Sequence, residues 1–180
     1  MISCTHIHCS HTTFVKFLFS LLLVLCLTGM AGLTIILPTS PSEQEQEASR
    51  ELTAFLELST GEKITVQRES ENISGKCIYL GATEFAGTRI PDLLPRDPEG
   101  WLIKSLDDAL IITGKTGRGT LYATMEFLER ELGIVFCTEF HTCVPPHPGY
   151  LWPKELHHQG QPAFANRGIY SYFANDPVPR

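Results

Sequence analysis

Residues 101–133 read WLIKSLDDALIITGKTGRGTLYATMEFLERELG, and this stretch decides the fold class. Its first part predicts a β-hairpin, because the apolar runs Trp101–Lys104 and Ala109–Thr113 are separated by a short segment that ends in two aspartates. Its second part predicts a helix over Leu121–Leu132, because apolar residues recur at helical spacing until Gly133. The predicted buried stripe of this helix is Leu121, Tyr122, Met125, Leu128 and Leu132.

The chain upstream supplies a second helix and further strands. Ser42 is a capping residue followed by glutamates in the first turn, and apolar side chains then recur at helical spacing until Gly61, which predicts a helix. The Pro-rich segment 84–100 is predicted to be a loop, and the polar segment 156–162 a linker. Together the elements predict an α/β (α+β) sandwich with a mixed β-sheet and at least two helices. Strands are predicted at Leu33–Leu37, Ile64–Gln67, Cys77–Leu80 and Ile134–Phe136.

The composition is that of one globular domain preceded by a different kind of segment. Of 180 residues, 43% are apolar and 19% are charged, which is typical of a folded domain. All the acidic residues lie at or after Glu43, and residues 32–180 carry 13 Lys and Arg against 20 Asp and Glu, a net charge of −7. This acidic balance argues against nucleic acid or an anionic membrane surface as a partner.

Residues 1–31 are predicted to be a signal peptide. The run 17–37 is uncharged and largely apolar, and the small residues Gly29 and Ala31 have the spacing that a signal peptidase reads. This predicts secretion or export to the periplasm. The same run is long enough to cross a bilayer, so an uncleaved membrane anchor over 17–37 is the alternative. We assign Leu33–Leu37 to the first strand, because this piece is short and β-branched.

The Gly-rich turn over residues 114–120 resembles the end of a phosphate-binding loop, but its spacing excludes that function. A phosphate cradle requires a glycine five positions before Gly114, where Ala109 stands in a predicted strand. The glycines are predicted to let a strand turn sharply into a helix while backbones pass close together. In that helix the charged residues predict a solvated surface, not a catalytic pair of carboxylates. The residues concerned are Glu126, Glu129, Arg130 and Glu131.

The histidines do not define a metal site in the sequence, and no metal or other cofactor is predicted. His141, His147 and the pair His157-His158 fall in loop or linker segments, without a third ligand at a recognisable spacing. A further group lies within the predicted leader and matches no paired-ligand pattern. Its members are Cys4, His6, His8, Cys9 and His11.

Three cysteines follow the leader. Cys77 lies in an apolar strand and is predicted to be a buried small side chain. Cys137 and Cys143 could form a disulfide if the segment between them turns back. The pattern Asn72-Ile73-Ser74 is an acceptor for N-glycosylation in a host that glycosylates.

Several short segments in a fixed order resemble one known type of domain. They resemble the N-terminal domain of bacterial α-glucuronidase-like glycoside hydrolases, which is similar to the second domain of β-hexosaminidases. The resemblance covers residues 32–161. It implies an α/β accessory module that precedes and packs against a catalytic (β/α)8 barrel. The segments are Leu33–Leu37, Leu58–Gly61, Ile78–Gly81, the hairpin into Ile112–Gly114, Arg118–Ala123 and Phe127–Gly133.

Residues 162–180 look like the entry into the first strand of such a barrel. A complete barrel needs about 250 residues, so the remaining strands do not fit into this chain. The family's catalytic pair therefore has no counterpart here, and no catalytic residue is predicted. Arg167 matches an arginine that holds sugar hydroxyls in related hexosaminidases, and its rigid donor fork suits that role. Arg167 is the predicted substrate-binding residue.

The resemblance favours a non-catalytic accessory domain of a secreted hydrolase, either a fragment of a longer gene product or a stand-alone remnant. Its expected partner is a catalytic barrel in cis. One alternative is a stand-alone module that binds a polysaccharide or oligosaccharide, which needs aromatic rings as a stacking platform. Another is an interaction domain tethered to a membrane by an uncleaved leader. The candidate rings are Trp101, Tyr150, Trp152, Tyr170 and Tyr172.

Overall fold

A computed structural model describes residues 32–70, 73, 75–107, 109–138 and 140–164 of the chain. The predicted signal peptide, Asn72, Ser74 and residues 165–180 lie outside the described residues. Three α-helices form in the described part: α1 (Glu43–Thr60), α2 (Glu84–Arg89) and α3 (Gly117–Arg130).

Six strands form one sheet, and two more form a separate ribbon. The sheet has the order β2-β1-β3-β5-β4-β8. Strands β2, β1, β3 and β5 run parallel, whereas β4 and β8 are antiparallel to their neighbours. The mixed sheet and the α/β fold class are therefore confirmed. The strands are β1 (Thr34–Leu37), β2 (Thr65–Arg68), β3 (Cys77–Leu80), β4 (Trp101–Leu106), β5 (Ala109–Gly114), β6 (Val135–Thr138), β7 (His141–Cys143) and β8 (His157–Gly160).

The sheet buries apolar side chains on both faces. Helices α1 and α3 cover one face, where Ile35, Ile78 and Leu110 of the sheet are fully buried. Helix α2 and its flanking segments cover the other face, where Ile36 and Ile111 are fully buried. The inner parallel strands β1, β3 and β5 are covered on both sides, so their sequences are largely continuous apolar runs and not alternating ones.

The start of α1 is tied to the sheet by a buried carboxylate. Ser42 and Glu45 form a capping box, in which each satisfies a backbone N–H of the other. Glu45 is only 5% exposed, and its second carboxylate oxygen accepts a hydrogen bond of 2.8 Å from the amide of Ala82, just after β3. The predicted helix start is confirmed, and the capping glutamate also fixes the helix against the strand ends.

The prediction of a loop over residues 84–100 is wrong in its first half. This segment contains α2 and a 3-10 turn over Pro91–Leu93. Thr83 caps α2 by accepting a hydrogen bond from the amide of Ala86. A six-residue helix is too short to show helical periodicity, and its Gly87 lowered the helix propensity of the segment.

Helix α3 differs from its prediction in its start and its buried side. It begins at Gly117, four residues before the predicted Leu121. Leu121, Tyr122 and Met125 are only half-buried, whereas small side chains face the sheet. Small residues let a helix lie close to the strands, but a pattern search gives more weight to large apolar ones. The buried residues are Gly119, Thr120, Ala123, Thr124, Phe127 and Leu128.

Two segments after α3 also differ from expectation. The predicted linker 156–162 contains β8, which pairs with β4 at the edge of the sheet. An edge strand needs few apolar residues, so composition gave no signal for it. The strand predicted at Ile134–Phe136 lies at Val135–Thr138 and pairs with β7, outside the six-stranded sheet.

Candidate functional site

The Gly-rich turn between β5 and α3 is a close backbone crossing. A Cβ atom on Gly114 would overlap the backbone of Gly119 and Thr120, and one on Gly119 would overlap the carbonyl oxygen of Gly100. The amide of Gly114 donates a hydrogen bond of 3.1 Å to the hydroxyl of Thr120. The predicted structural role of these glycines is confirmed.

The acidic residues of α3 have two environments. Glu126 forms an ion pair with Arg130, which is exposed together with Glu129, so that side of the helix is a polar surface as predicted. The prediction that Glu131 faces water is wrong. Its carboxylate lies 3.0 Å from Nε2 of His158, and the two side chains are half-buried. This contact joins the end of α3 to β8.

Two further histidines that were predicted to lie in loop or linker segments, His147 and His157, have different environments. His147 is a tether, because its amide donates to the carbonyl of Ser59 at 2.7 Å and its Nε2 lies 3.0 Å from the carbonyl of Leu132. His157 lies exposed on β8 and not in a linker.

The aromatic residues proposed as a sugar platform are mostly structural. Trp101 and Trp152 are at most 9% exposed and belong to the main core. Tyr150 packs edge-on against Phe127 with ring centroids 6.3 Å apart, and burial raises the pKa of its hydroxyl far above the usual value. Buried rings cannot stack on a sugar face, so Trp101 and Trp152 do not contribute to a platform, and Tyr150 is half-buried against the core. Tyr170 and Tyr172, like Arg167, lie outside the described residues.

Two clefts meet where β8 ends. One, of about 520 Å³, lies between residues 92–97 and the strand end at Gly160. The other, of about 260 Å³, is lined by Tyr122 and Met125 of α3 and by Pro162. Trp101 and Gln161 border both clefts. We call the smaller one the exit cleft, because the chain leaves the sheet through it.

A third cleft, of about 600 Å³, lies beside α2 on the second face of the sheet. Within it, Tyr79 and Phe85 stack with ring centroids 3.9 Å apart, and the guanidinium of Arg89 lies over the Phe85 ring. Glu69 accepts hydrogen bonds from the amides of Glu84 and Phe85, which caps the start of α2. The charged side chains Glu69 and Arg89 at the border of this cleft are therefore already engaged by other groups of the protein.

The β6–β7 ribbon brings together three side chains that the sequence left apart. Cys137, His141 and Cys143 place their sulfur and imidazole nitrogen atoms within 4.8 Å of one another. All three side chains are exposed, and both cysteines are free thiols whose sulfurs are 3.9 Å apart. Hydrogen bonding to Cys137, followed by the charge of that thiol, raises the pKa of Cys143.

The part of the chain that the structure describes contains no helix that is both long and apolar enough to cross a membrane. Thr34–Leu37, the end of the apolar run 17–37, is the buried strand β1. The rest of that run lies outside the described residues.

Comparison with known proteins gives a family and several distant structural likenesses. Residues 29–127 match the glycosyl hydrolase family 67 N-terminus. A structure of a family GH115 4-O-methyl-α-glucuronidase with specificity for decorated arabinogalactans is 13% identical, with a TM-score of 0.49 over 72% of this chain and 17% of that one. A mutant β-hexosaminidase of Streptomyces plicatus in complex with its product GlcNAc is 17% identical, with a TM-score of 0.38 over 56% of this chain and 17% of that one.

A GH138 enzyme targeting pectin rhamnogalacturonan II is also 17% identical, with a TM-score of 0.38 over 54% of this chain and 10% of that one. The chain thus spans less than a fifth of each of these structures. No functionally curated protein matches the chain.

The mixed sheet, with α1 and α3 on one face and α2 on the other, defines an α/β sandwich domain. The family match covers more than half of the chain and includes β1 to β5 and most of α3. The chain belongs to the glycosyl hydrolase family 67 N-terminus, a family of N-terminal domains of glycoside hydrolases.

Proposed function

We propose that this chain is the non-catalytic N-terminal accessory domain of a secreted, α-glucuronidase-like glycoside hydrolase, and that it packs against a catalytic barrel in cis. The family match over residues 29–127 carries this proposal. The barrel begins in the predicted entry segment 162–180. Arg167, in that segment, stays a predicted contact to sugar hydroxyls in the longer protein.

The exit cleft supports this arrangement, because it lies where the chain leaves the domain. Gly160 pairs with Trp101 at the end of β8, and a Cβ on Gly160 would lie 2.7 Å from the Trp101 ring. The end of β8 is therefore packed directly against the Trp101 indole. A barrel that follows in cis would therefore start from this edge of the domain.

The surface around the exit cleft has the composition of an interface. Tyr122 and Met125 are half-buried apolar side chains, and Phe164 is 72% exposed. Glu126 and Glu129 border the same cleft. An apolar centre with a polar rim is typical of surfaces that bury a partner.

The isolated chain is expected to be inactive toward aryl glucuronides and aryl hexosaminides, because the catalytic carboxylates of the family belong to the barrel. Release of the aryl group, measured with the purified chain at micromolar concentration, should equal the buffer blank. Turnover near 1 s⁻¹ or above, a rate typical of enzymes, would contradict the non-catalytic assignment.

Docking at the exit cleft is measured in a longer protein in which the proposed barrel follows this domain. Amide exchange at residues 121–126 and 159–164 should slow by about tenfold relative to the 180-residue chain, because the barrel covers these amides. Met125→Asp should restore fast exchange at 159–164. The matched control is Leu58→Asp, since Leu58 is 68% exposed on α1 and does not line the cleft. Equal exchange in both proteins would contradict docking at this edge.

Secretion rests on the predicted leader. The mature protein should begin at Gly32, because Gly29 and Ala31 satisfy the small-residue requirement of signal peptidase. N-terminal sequencing of protein recovered from the medium or periplasm measures this. Ala31→Arg should block processing, whereas Met30→Arg, between the two recognised positions, serves as the milder control. An intact Met1 in the membrane fraction would favour the uncleaved anchor.

A further inference from the structure

We propose that Cys137, His141 and Cys143 form a three-ligand site for Zn²⁺ at the β6–β7 ribbon. The donors are two thiols and one imidazole, the set that zinc and similarly soft metals prefer over the oxygen-seeking Mg²⁺ and Ca²⁺. The three ligand atoms converge within 4.8 Å of one another.

Two of the three distances between ligand atoms fit the edges of a zinc tetrahedron, and the third is within 4.8 Å. With Zn–S bonds of about 2.3 Å and a Zn–N bond of about 2.05 Å, tetrahedral angles place two sulfurs roughly 3.8 Å apart and a sulfur and nitrogen roughly 3.6 Å apart. The sulfurs of Cys137 and Cys143 are 3.9 Å apart. The sulfur of Cys143 is 3.7 Å from Nε2 of His141. Both edges therefore agree with ideal coordination to within about 0.1 Å.

The local backbone explains why the ligands converge. His141 and Cys143 are two residues apart on β7, so they share one face of the ribbon. On β6 the register shifts between Phe136 and Thr138, which leaves Cys137 as the extra residue of a β-bulge. Bulges redirect side chains, and this one turns Cys137 toward the other two ligands.

The separation of the sulfurs favours a metal over a direct disulfide. Cys143 lies opposite Val135 and not opposite Cys137, so the two cysteines are diagonal neighbours. The sulfurs are 3.9 Å apart, whereas a disulfide needs about 2.05 Å, so a direct bond would require the two side chains to move together. A bound metal spans the gap between the sulfurs at their present separation.

The site has three protein ligands, and all of them are exposed. The fourth coordination position therefore faces solvent and is available to water or an external donor. Because the metal joins both strands of the ribbon, it also orders the adjoining turn, where Phe140 is 91% exposed. The inference does not depend on the proposed hydrolase partner.

The test is Co²⁺ binding to the full chain, reduced and kept anaerobic, followed by displacement with Zn²⁺. Tetrahedral Co²⁺ with thiolate ligands gives intense visible absorption and a sulfur-to-metal charge-transfer band. Cys137→Ser, Cys143→Ser and His141→Ala should each remove this spectrum and weaken binding by about 100-fold or more, since even loss of an outer-shell group costs 10–100-fold. His141→Cys should retain a tetrahedral spectrum with stronger charge transfer.

Controls separate this site from the other cysteines and histidines. Cys77→Ser, His157→Ala and the double substitution of Cys4 and Cys9 by serine should leave one equivalent bound at the ribbon. Far-UV circular dichroism confirms that each variant is folded. A spectrum unchanged by all three ribbon variants would overturn the proposal, as would a Cys137–Cys143 disulfide that persists in mass spectra under reductant and excess metal.

Discussion

Replacing Phe127 by alanine is expected to lower the free energy of unfolding by about 3–5 kcal/mol, the range for truncating a fully buried aromatic side chain. Phe127 is completely buried between α3 and the sheet. It also supports Tyr150 through an edge-on ring contact. Its removal therefore leaves a cavity in the main core and deprives Tyr150 of a packing contact.

Urea unfolding of the full chain, followed by far-UV circular dichroism, measures this loss. The matched control is Phe140→Ala, which removes the same group from a side chain that is 91% exposed and should change stability by less than about 0.5 kcal/mol. Equal effects of the two substitutions would show that Phe127 does not occupy the core.

Gly114→Ala is expected to destabilise the domain by about 3 kcal/mol, the upper part of the range for overpacking. The added methyl group would overlap backbone atoms of Gly119 and Thr120, which cannot rotate away as a flexible side chain can. The start of α3 would have to move from β5, with loss of the hydrogen bond between the Gly114 amide and Thr120.

The control for this substitution is expected to have the opposite effect on stability. Gly87 lies inside α2, and a Cβ there would meet nothing within 4 Å. Gly87→Ala should therefore stabilise the protein by about 0.5–1 kcal/mol, because alanine is the better helix former. Thermal unfolding of both variants distinguishes close approach from a general effect of losing glycine. Stabilisation by Gly114→Ala would contradict the close backbone crossing.

The parts of the fold with strong local signals were predicted correctly. Helix α1 has a capping box, acids in its first turn and a glycine in the left-handed conformation after its end, and its predicted bounds agree with the structure. The hairpin β4–β5 was found from its two apolar runs, although both strands extend beyond the prediction. Local sequence fixes such elements because caps and periodicity act within a few residues.

The missed elements depend on their partners. Strand β8 contains His157 to Gly160 and no large apolar residue, so only its ladder with β4 makes it a strand. Helix α2 is stabilised from a distance, since Glu69 at the end of β2 caps its first amides. A cap supplied by a residue distant in sequence and a pairing at the sheet edge cannot be recognised from the local composition.

The candidate sites divide in the same way, into features recognisable from the local sequence and features that depend on tertiary contacts. The structural role of the Gly-rich turn was predicted from spacing alone, because a phosphate-binding loop needs glycines at fixed intervals, and the close backbone crossing confirms that role. Trp101 and Trp152 are core residues and are not available to an aromatic platform, which the sequence could not indicate because it does not report ring burial. The convergence of Cys137, His141 and Cys143 depends on a bulge in β6, which no ligand-spacing rule describes.

The sequence by itself determined the class of this protein: an acidic α/β domain resembling the N-terminal module of a glycoside hydrolase, a resemblance that the family match bears out. Only the tertiary structure determined which residues are available for docking or ligand binding. It placed the chain exit beside Trp101, buried the aromatic candidates and gathered the ribbon's three soft ligands. The physical reason is range, since periodicity and caps are set by neighbours in sequence, whereas burial and ligand geometry are set by contacts between distant segments.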